Sequence, residues 1–343
     1  MLNDKEIEDI REELATAKNP LFIYDGDGDG LTSFLLLYKI HREGKGMALT
    51  TTSYLDGKFV RKVEEINPDK IFILDIPVVE QDFLDGVKRP VIWIDHHPPL
   101  ERTKVKYFNP RIRNPDAYVP TSRMSWQVSQ HPEDMWIAAV GSLADYSLPD
   151  FINEFQAKHP SFAEMGDDIN TLLYKRQIGK LVKFFFFLLK GPSTEVRKSI
   201  KILTRIKTPE EIFNEETPQG KFLHRRFLKL NEKYEELLKQ AKKCVKKTRL
   251  VLFNYTESKW SFTTNLSNEL FGHYPEKMII ISRRKSEEVK CSLRGKNVRS
   301  ILEKALVGVE GRGGGHPDAC GAVIKEKDWD LFLTHFNEAL DDS

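Results

Sequence analysis

The hydrophobic pattern of about the first 150 residues predicts strands alternating with helices. Three short apolar runs, Pro20–Tyr24, Lys70–Leu74 and Pro90–Ile94, have the length and flanks of buried parallel strands. A helical pattern at Leu31–His41 and a short strand candidate at Met47–Ser53 lie between the first two runs. This alternation predicts an α/β fold with an open, mainly parallel sheet, which binds its ligands at the carboxyl ends of the strands.

The pattern changes to helices after about residue 150 and returns to strands near residue 249. Within Phe222–Ala241, apolar residues recur at helical spacing with charged residues between them. The last part has the order strand, helix, two strands, helix, a glycine-rich loop at Gly311–Gly315, a short strand and a closing helix. We therefore predict an α/β domain at residues 1–150, a helical connector at residues 151–248 and a smaller α/β domain at residues 249–343.

Composition indicates a globular protein without a strong bulk charge. The 343 residues are 40% hydrophobic and 30% charged, with a formal net charge of +2, so any surface for nucleic acid must be local. The charged N-terminus lacks the apolar core of a signal peptide, and the most apolar stretch, Phe184–Leu189, is far shorter than the roughly 20 residues that cross a bilayer. We expect that stretch to be core, with a dimer surface as the alternative, and we expect no membrane partner.

Cysteine usage favours a reducing compartment. The chain has an odd number of cysteines, which lie far apart in the sequence: Cys244, Cys291 and Cys320. This spacing argues against a disulfide framework and against a cysteine-based zinc site. We therefore expect a cytoplasmic protein.

The densest chemical signal is the sequence Asp25-Gly26-Asp27-Gly28-Asp29-Gly30, directly after the first predicted strand. Three carboxylates at alternating positions repel one another unless a cation lies among them, and the glycines allow the backbone to turn sharply. An EF-hand loop is excluded because its twelfth position is Leu36 rather than Glu and because a strand precedes it. A solvated acidic turn remains the alternative for this loop taken alone.

Further candidate ligands follow the other apolar elements. Asp75 follows the second run, Asp95-His96-His97 follows the third, and Asp145 closes a fourth apolar element that we also expect to be a strand. Carboxylates with imidazole suit divalent ions such as Mn²⁺, and a pair of such ions suits in-line phosphoryl displacement. The chain has no Gly-Lys-Ser/Thr sequence of the Walker type, which argues against an NTPase.

A second concentrated signal lies near the C-terminus, at Arg312 and Gly313-Gly314-Gly315-His316. Successive glycines expose backbone N–H groups that can bind an anion, and Arg294, at a predicted strand end, could contact the same phosphate. A flexible turn is the alternative, but the presence of the acidic motifs in the same chain favours phosphate binding by this segment. For the basic run Lys242–Lys247 we favour lysines at a helix C-terminus over a phosphate-binding patch.

Taken in order, these motifs resemble those of the DHH phosphoesterase superfamily with its DHH-associated C-terminal domain. The resemblance covers roughly residues 18–150 and 249–325 and rests on Asp25–Ser33, Asp75, Asp95–His97, Gly141–Asp145 and Gly313–Ala322. Within the superfamily, the first motif with its Thr-Ser pair is similar to RecJ-type single-strand exonucleases. The short length and the Ser-Leu-Arg before the glycine motif are similar to the smaller oligoribonucleases.

The resemblance implies a site for two Mn²⁺ ions, which Mg²⁺ or Co²⁺ could replace. By position, Asp27 and Asp29 would each bind one ion, with Asp25 nearby. Asp75 would bridge both ions. The second ion would be completed by His96 and Asp145.

The resemblance also implies roles outside the metal ligands. His97 would contact the scissile phosphate, and Asp95 would orient a histidine. The substrate's phosphate or terminal nucleotide would be held by Arg294, Arg312, Gly313, Gly314, Gly315 and His316. One position departs from the pattern, because many members have a histidine where this chain has Ile23.

The expected function is therefore a Mn²⁺-dependent exonuclease that hydrolyses single-stranded nucleic acid or short oligonucleotides to nucleoside monophosphates. A homodimer, or a replication or repair protein as partner, also fits the resemblance. Two alternatives stay open: a phosphodiesterase acting on cyclic dinucleotides or a nucleoside bisphosphate, and a catalytically weak RecJ-like replication or repair scaffold. Retained histidines and carboxylates favour the enzyme, whereas Ile23 is a hint towards the scaffold.

Overall fold

The computed structural model describes residues 1–50, 52–256 and 260–342. The chain forms two compact units, residues 1–226 and residues 227–343. The predicted division into three regions is a finer one and stays a prediction. Among the described residues, no helix has both the length and the apolar character needed to span a membrane.

The first unit is built on a parallel sheet. Its strands and those of a small second sheet are β1 (Leu21–Asp25), β2 (Lys45–Leu49), β3 (Tyr54–Leu55), β4 (Ile71–Leu74), β5 (Val78–Val79), β6 (Val91–Ile94) and β7 (Lys106–Phe108). The main sheet has the order β2-β1-β4-β6-β7 with every pair parallel, while β3 pairs with β5. This confirms the predicted open parallel sheet.

Burial explains why the central strands read as continuous apolar runs. Every residue of β4 and β6 is buried, and so are the first four residues of β1. A strand covered on both faces needs apolar side chains in both directions, so the alternation typical of a half-exposed strand is lost. In the parallel register, Leu21 pairs with Ile71 and Ile71 with Val91, which brings the carboxyl ends of the three strands to one edge.

Helices surround this sheet and continue past residue 150. They are α1 (Asp4–Thr16), α2 (Gly28–His41), α3 (Val60–Ile66), α4 (Gln81–Gly86), α5 (Thr121–Ser129), α6 (Met135–Ala144), α7 (Ile152–Lys158), α8 (Ile169–Lys175), α9 (Gln177–Leu188), α10 (Ser193–Leu203), α11 (Glu210–Phe213) and α12 (Pro218–Lys243). The last of these contains the boundary between the units.

Two expectations about the apolar elements have different outcomes. The element before Asp145 is the helix α6 and not a strand, so that expectation was wrong. Nearly all of α6 is buried, so its apolar residues show no one-sided periodicity that would distinguish a helix from a buried strand. The Phe184–Leu189 stretch lies in and just after α9, where Phe184, Phe185 and Phe187 are fully buried, as expected for core.

The second unit is a five-stranded, mainly antiparallel sheet with helices. Its remaining elements are β8 (Leu250–Tyr255), α13 (Thr263–His273), β9 (Met278–Lys285), β10 (Glu288–Arg294), α14 (Val298–Ala305), β11 (Gly311–His316), β12 (Ala319–Lys325) and α15 (Trp329–Asp341). The order is β11-β12-β10-β9-β8, and only β8 and β9 are parallel. A core cluster that includes Trp329, Phe332 and Phe336 of α15 stabilises this unit.

The glycine-rich segment is the edge strand β11 and not a loop, which corrects the sequence-based expectation. Its residues pair with Ala319–Ile324 of β12 in an antiparallel register that closes over the two residues Pro317 and Asp318. Pairing with β12 holds this segment in the strand conformation, because glycine by itself has little preference for a strand. All three cysteines are free, as the sequence indicated.

Candidate metal centre and phosphate-binding face

The acidic loop connects β1 to α2. Asp25 ends β1, and Asp27 is the N-cap of α2, where its Oδ1 accepts a hydrogen bond from the Gly30 amide at 2.9 Å. The loop needs small residues because it folds tightly on itself. A Cβ on Gly30 would lie 2.5 Å from the carbonyl oxygen of Asp25, and a Cβ on Gly26 would lie 2.3 Å from that of Leu49. These are closer than any side chain allows, so the backbone itself requires glycine at both positions.

Asp29 is held by the N-terminus of α5. Its Oδ2 accepts from the Thr121 amide at 2.7 Å, and its Oδ1 accepts from the Ser122 amide at 3.0 Å and from the Ser122 hydroxyl. The first turn of a helix carries unpaired amides and a positive partial charge, so it suits a buried carboxylate. The side chain is therefore fixed in place before any ligand binds.

Asp75, His96 and Asp145 meet at one imidazole nitrogen. His96 Nε2 lies 3.3 Å from Asp75 Oδ1 and 3.6 Å from Asp145 Oδ2. Asp75 follows β4 with φ 60°, a left-handed conformation that is uncommon for a residue with a side chain, and its Oδ1 accepts from the Thr121 hydroxyl at 3.2 Å. Asp145 is the C-cap of α6, and its carboxylate accepts from the Tyr118 hydroxyl at 2.7 Å.

Asp95 and His97 form a separate hydrogen-bonded pair. Asp95 is fully buried, and its Oδ1 lies 2.7 Å from His97 Nδ1, while its Oδ2 accepts from the His97 amide at 3.0 Å. Because the carboxylate can only accept, the proton lies on Nδ1 and Nε2 is left for another contact. Burial lowers the pKa of His97, but the hydrogen bond to Asp95 and the negative charges of Asp95, Asp27 and Asp25 together outweigh burial and raise the pKa above its usual value.

The carboxylates are mutually repulsive. Burial and then repulsion from Asp27 raise the pKa of Asp25 and of Asp29 to about 7. Burial, followed by repulsion from Asp29, raises the pKa of Asp75 and of Asp145 well above the usual range. Within the part of the chain that the structure describes, no lysine or arginine forms an ion pair with any of these carboxylates. Protons or bound cations must therefore neutralise the cluster.

The donor atoms fit divalent ions. Three groups each bring ligand atoms within 4.8 Å of one another: Asp25, Asp27 and Asp75; Asp29, His96 and Asp145; and Asp75, His96 and His97. Carboxylate oxygens together with imidazole nitrogens suit Mn²⁺ and related ions. All six predicted ligands thus lie in these groups, while Ile23 is a fully buried residue of the sheet core.

The predicted phosphate-binding residues lie in the second unit, on one face of its sheet. Ala319 of β12 pairs with His316 on one side and with Arg294 on the other, and Val323 pairs with Arg312. Directly paired residues share a face, and positions four apart in a strand do too, so these three side chains point to the same side. The opposite side carries the buried core residues Cys320, Ala322 and Ile324.

The glycines of β11 have different environments along this edge. A Cβ on Gly313 would lie 2.8 Å from that of Ala322, whereas a Cβ on Gly314 would meet no atom within 4 Å. Extended backbone directs successive N–H groups to opposite sides, so β11 does not form the converging anion nest expected from a glycine loop. Arg294 is positioned by Asn268, whose Oδ1 accepts from its Nε at 2.6 Å.

Three residues that hold the first site were missed in the sequence: Tyr118, Thr121 and Ser122. Pro120-Thr121-Ser122 has the composition of a helix start, which could have indicated free amides there. Nothing in the local sequence links those amides to Asp29, which is 92 residues away from Thr121. Their role is a product of the tertiary fold.

Comparison with known proteins gives a family match in the second unit and structural matches to the whole chain. The model of the DHHA1 domain matches residues 258–342. Comparison with curated protein sequences gives no match.

Among solved structures, RecJ in complex with Mn²⁺ from Thermus thermophilus has a TM-score of 0.72 at 16% identity, covering 98% of this chain and 54% of that one. The chain thus spans about half the length of that RecJ. The exonuclease RecJ bound to manganese has a TM-score of 0.63 at 17% identity, covering 98% and 94% of the two chains. The DHH domain of a protein assigned to a family of ribosomal proteins has a TM-score of 0.67 at 15% identity, covering 98% and 89%. These likenesses establish the fold.

Proposed function

We propose that the chain, which belongs to the DHH superfamily, is a divalent-metal-dependent phosphodiesterase that removes nucleoside monophosphates from single-stranded nucleic acid. The observation that carries the proposal is the linked set of metal-binding groups in the first unit. Asp75 belongs to two of the three groups, and His96 also belongs to two. Shared ligands of this kind suit two neighbouring ions.

The residues divide into two ion positions. Asp25, Asp27 and Asp75 would hold one ion, and Asp29, His96 and Asp145 would hold the other, with Asp75 between them. When bound, a pair of ions supplies Lewis-acid stabilisation of the phosphoryl oxygens and lowers the pKa of water. Asp29 is fixed by two backbone amides and a hydroxyl, which limits its reorganisation during a reaction cycle.

His97 is the residue that would contact the substrate directly. Its Nδ1 is held by Asp95, which fixes the ring and leaves Nε2 free to donate or accept a proton. Because Asp95 raises the pKa of His97, a larger share of the ring is protonated near neutral pH, and a cationic ring stabilises charge on a phosphoryl oxygen. Its side chain is about one-quarter exposed, so a substrate can reach it.

The proposed substrate class rests on the second unit and on the similar structures. Arg294, Arg312 and His316 share one face of the sheet, and arginine binds phosphate through paired N–H donors. The manganese-bound structure with which this chain shares its fold is described as an exonuclease. Both observations favour a nucleotide phosphate as ligand of that face.

The test is a Mn²⁺-dependent hydrolysis assay on single-stranded DNA and RNA of several lengths, labelled at the 5′ or the 3′ end. We expect stepwise release of nucleoside monophosphates with Mn²⁺ and none in EDTA. The same assay includes a dinucleotide, a cyclic dinucleotide and a nucleoside bisphosphate. Turnover of only the last two would overturn the nuclease and identify a small-molecule phosphodiesterase.

One observation favours a second candidate, a catalytically weak RecJ-like scaffold. The position at which many superfamily members have a histidine is Ile23, whose side chain is fully buried in the apolar sheet core. The group formed by Asp25, Asp27 and Asp75 therefore has no imidazole donor. Calorimetric titration with Mn²⁺ separates the candidates, since a scaffold would bind neither ion and the enzyme would bind two.

A further inference from the structure

A groove along the open edge of the first unit's sheet is not part of the metal centre. Strand β2 is the edge strand of the order β2-β1-β4-β6-β7, so its outer side has no neighbouring strand among the described residues. A cavity of about 680 Å³ lies along it, lined by residues of β2, α2, α3 and α10. Its apolar lining includes Phe34, Met47, Val196 and Ile200.

The charged residues that line this groove are all basic. They are Lys45 on β2, Lys62 on α3, and Arg197 and Lys201 on α10. All four are exposed, and none forms an ion pair with a described residue, whereas other cations of this unit, such as Lys39 and Lys70, are paired with carboxylates. The lining drawn from the described residues contains no Asp or Glu. Four such cations over an apolar floor indicate an anionic ligand with apolar parts.

The groove reaches the acidic loop. Thr50, which follows β2, lines the groove, and its Cα would lie 2.8 Å from a Cβ placed on Gly26. In the strand register, Leu49 at the end of β2 pairs with Asp25. A chain lying along β2 would therefore reach the acidic loop at Gly26, between Asp25 and Asp27.

We propose that this groove binds the stretch of single-stranded nucleic acid that trails the hydrolysed end, with phosphates against Lys45, Lys62, Arg197 and Lys201 and bases against the apolar floor. The inference rests on the proposed function for the identity of the ligand. Single-strand binding sites of this kind combine a basic groove with surfaces on which bases stack, and the half-buried ring of Tyr38 also lines the groove.

An acidic peptide is the other polyanion that could enter. A peptide bound at a sheet edge adds a strand through main-chain hydrogen bonds. Lys45 lies on the edge strand, and a lysine at that position is a common device that discourages strand addition. The groove's cations also come from three different elements, which suits a flexible phosphate backbone better than a second strand fixed in register.

The test is the double variant Arg197→Ala with Lys201→Ala, on one exposed face of α10. Affinity for a fluorescein-labelled 20-nucleotide single strand is measured by anisotropy in EDTA, so that no hydrolysis occurs, over a range of salt concentrations. We expect roughly tenfold weaker binding, and the log–log salt slope should fall by about 1.4, because each phosphate contact on a single strand contributes about 0.7. Dinucleotide turnover with Mn²⁺ should change less than twofold, since β2 alone is about 16 Å long and a dinucleotide is too short to follow it.

The matched control is Lys5→Ala with Lys88→Ala, which removes two exposed cations that do not line the groove. Oligonucleotide binding that is the same in the groove variant and in the control would overturn the inference. Tighter binding of a 20-residue polyglutamate peptide than of the oligonucleotide would also overturn it, in favour of a protein partner. If the wild-type protein hydrolyses none of the substrates but binds the oligonucleotide, and the groove variant binds it more weakly, the proposed function is wrong and the inference about the groove stands.

Discussion

The two regions that the sequence marks for chemistry are built in opposite ways. In the first unit, the functional groups are charged side chains, and Asp29, Asp75 and Asp95 are almost completely buried. In the second unit, all six residues of β11 are exposed, and most of the motif consists of positions without a side chain. The first unit buries charged side chains, which the folded state disfavours. The second unit exposes backbone groups that a ligand can approach.

This difference has an energetic consequence. A buried carboxylate without a cation raises the free energy of the folded state, and the like charges around Asp75 add to that cost. The exposed glycine strand carries no such cost, because water solvates its free backbone groups. We infer that stability and ligand binding are tightly coupled in the first unit and nearly independent at the glycine edge of the second.

The largest effect is expected from Asp75→Asn, which removes the carboxylate shared by two metal-binding groups. We expect about a 10³-fold loss of Mn²⁺-dependent hydrolysis, which corresponds to about 4 kcal/mol of barrier. In EDTA the variant should melt at a higher temperature than the wild type, since one repulsive buried charge is gone. Asp330→Asn, an exposed carboxylate in the second unit, is the control and should change neither quantity. Full activity of the Asp75 variant would refute the metal centre.

The next largest effect is expected from Asp95→Asn. Asparagine has a single acceptor oxygen and no negative charge, so it cannot accept from both His97 Nδ1 and the His97 amide, and kcat/KM should fall about 10- to 100-fold, the usual cost of disturbing a group that orients a histidine. Asp95 raises the pKa of His97, so without it the ring loses its proton at lower pH. If the protonated ring contacts the phosphate, the alkaline limb of the pH–activity profile should move to lower pH.

Tyr107→Phe provides the matched control for that shift. Its hydroxyl lies 3.4 Å from Asp95 Oδ2, a longer contact than the one to His97, and removing it leaves the Asp95–His97 bond in place. The profile of this variant should stay close to that of the wild type. An unchanged alkaline limb in Asp95→Asn would show that His97 does not act as a cation.

The sequence predicted the first region better than the second, for physical reasons. Asp25, Asp75 and Asp95 follow apolar runs, and parallel strands bring their carboxyl ends to one edge, so proximity could be deduced without coordinates. Asp145 was placed correctly after an apolar element, but that element is a helix, because full burial of α6 removes the periodic signal.

The rest depended on contacts between distant parts of the chain. The strand conformation of β11 comes from its pairing with β12, and no propensity of glycine could indicate it. The hydrogen bonds from Thr121 and Ser122 to Asp29 likewise join elements that are far apart in sequence. Such contacts become visible only when the whole fold is known.

The coupling of charge to stability can be measured through pH in metal-free protein. Asp25 and Asp29 have folded-state pKa values of about 7, above the unfolded value near 4, so the folded state binds more protons between those pH values. Stability should therefore fall as pH rises from about 4 to 7, and the melting temperature should drop by several degrees. Mn²⁺ at about pH 7.5 should restore it, because the bound ions neutralise the same carboxylates.

The two units should respond differently to this pH change. Hydrogen exchange followed by mass spectrometry reports each unit separately. Protection should fall around β1, β4 and β6 in the first unit and stay constant in the core strands β9 and β10 of the second. Equal loss of protection in both units, or a metal-free protein that becomes more stable between about pH 4 and 7, would contradict the proposed cost of the buried carboxylates.

The smallest effects are expected from a pair of glycine substitutions, one in each of the two regions. Gly30→Ala places a Cβ 2.5 Å from the Asp25 carbonyl oxygen and should cost about 1–3 kcal/mol of unfolding free energy, because the loop must move. Gly314→Ala meets no atom within 4 Å, so its stability in urea denaturation should stay within about 0.5 kcal/mol of the wild type. If a nucleotide phosphate approaches the β11 backbone, Gly314→Ala should nevertheless raise KM for an oligonucleotide. An unchanged KM would instead show that the side of Gly314 is not approached by the substrate.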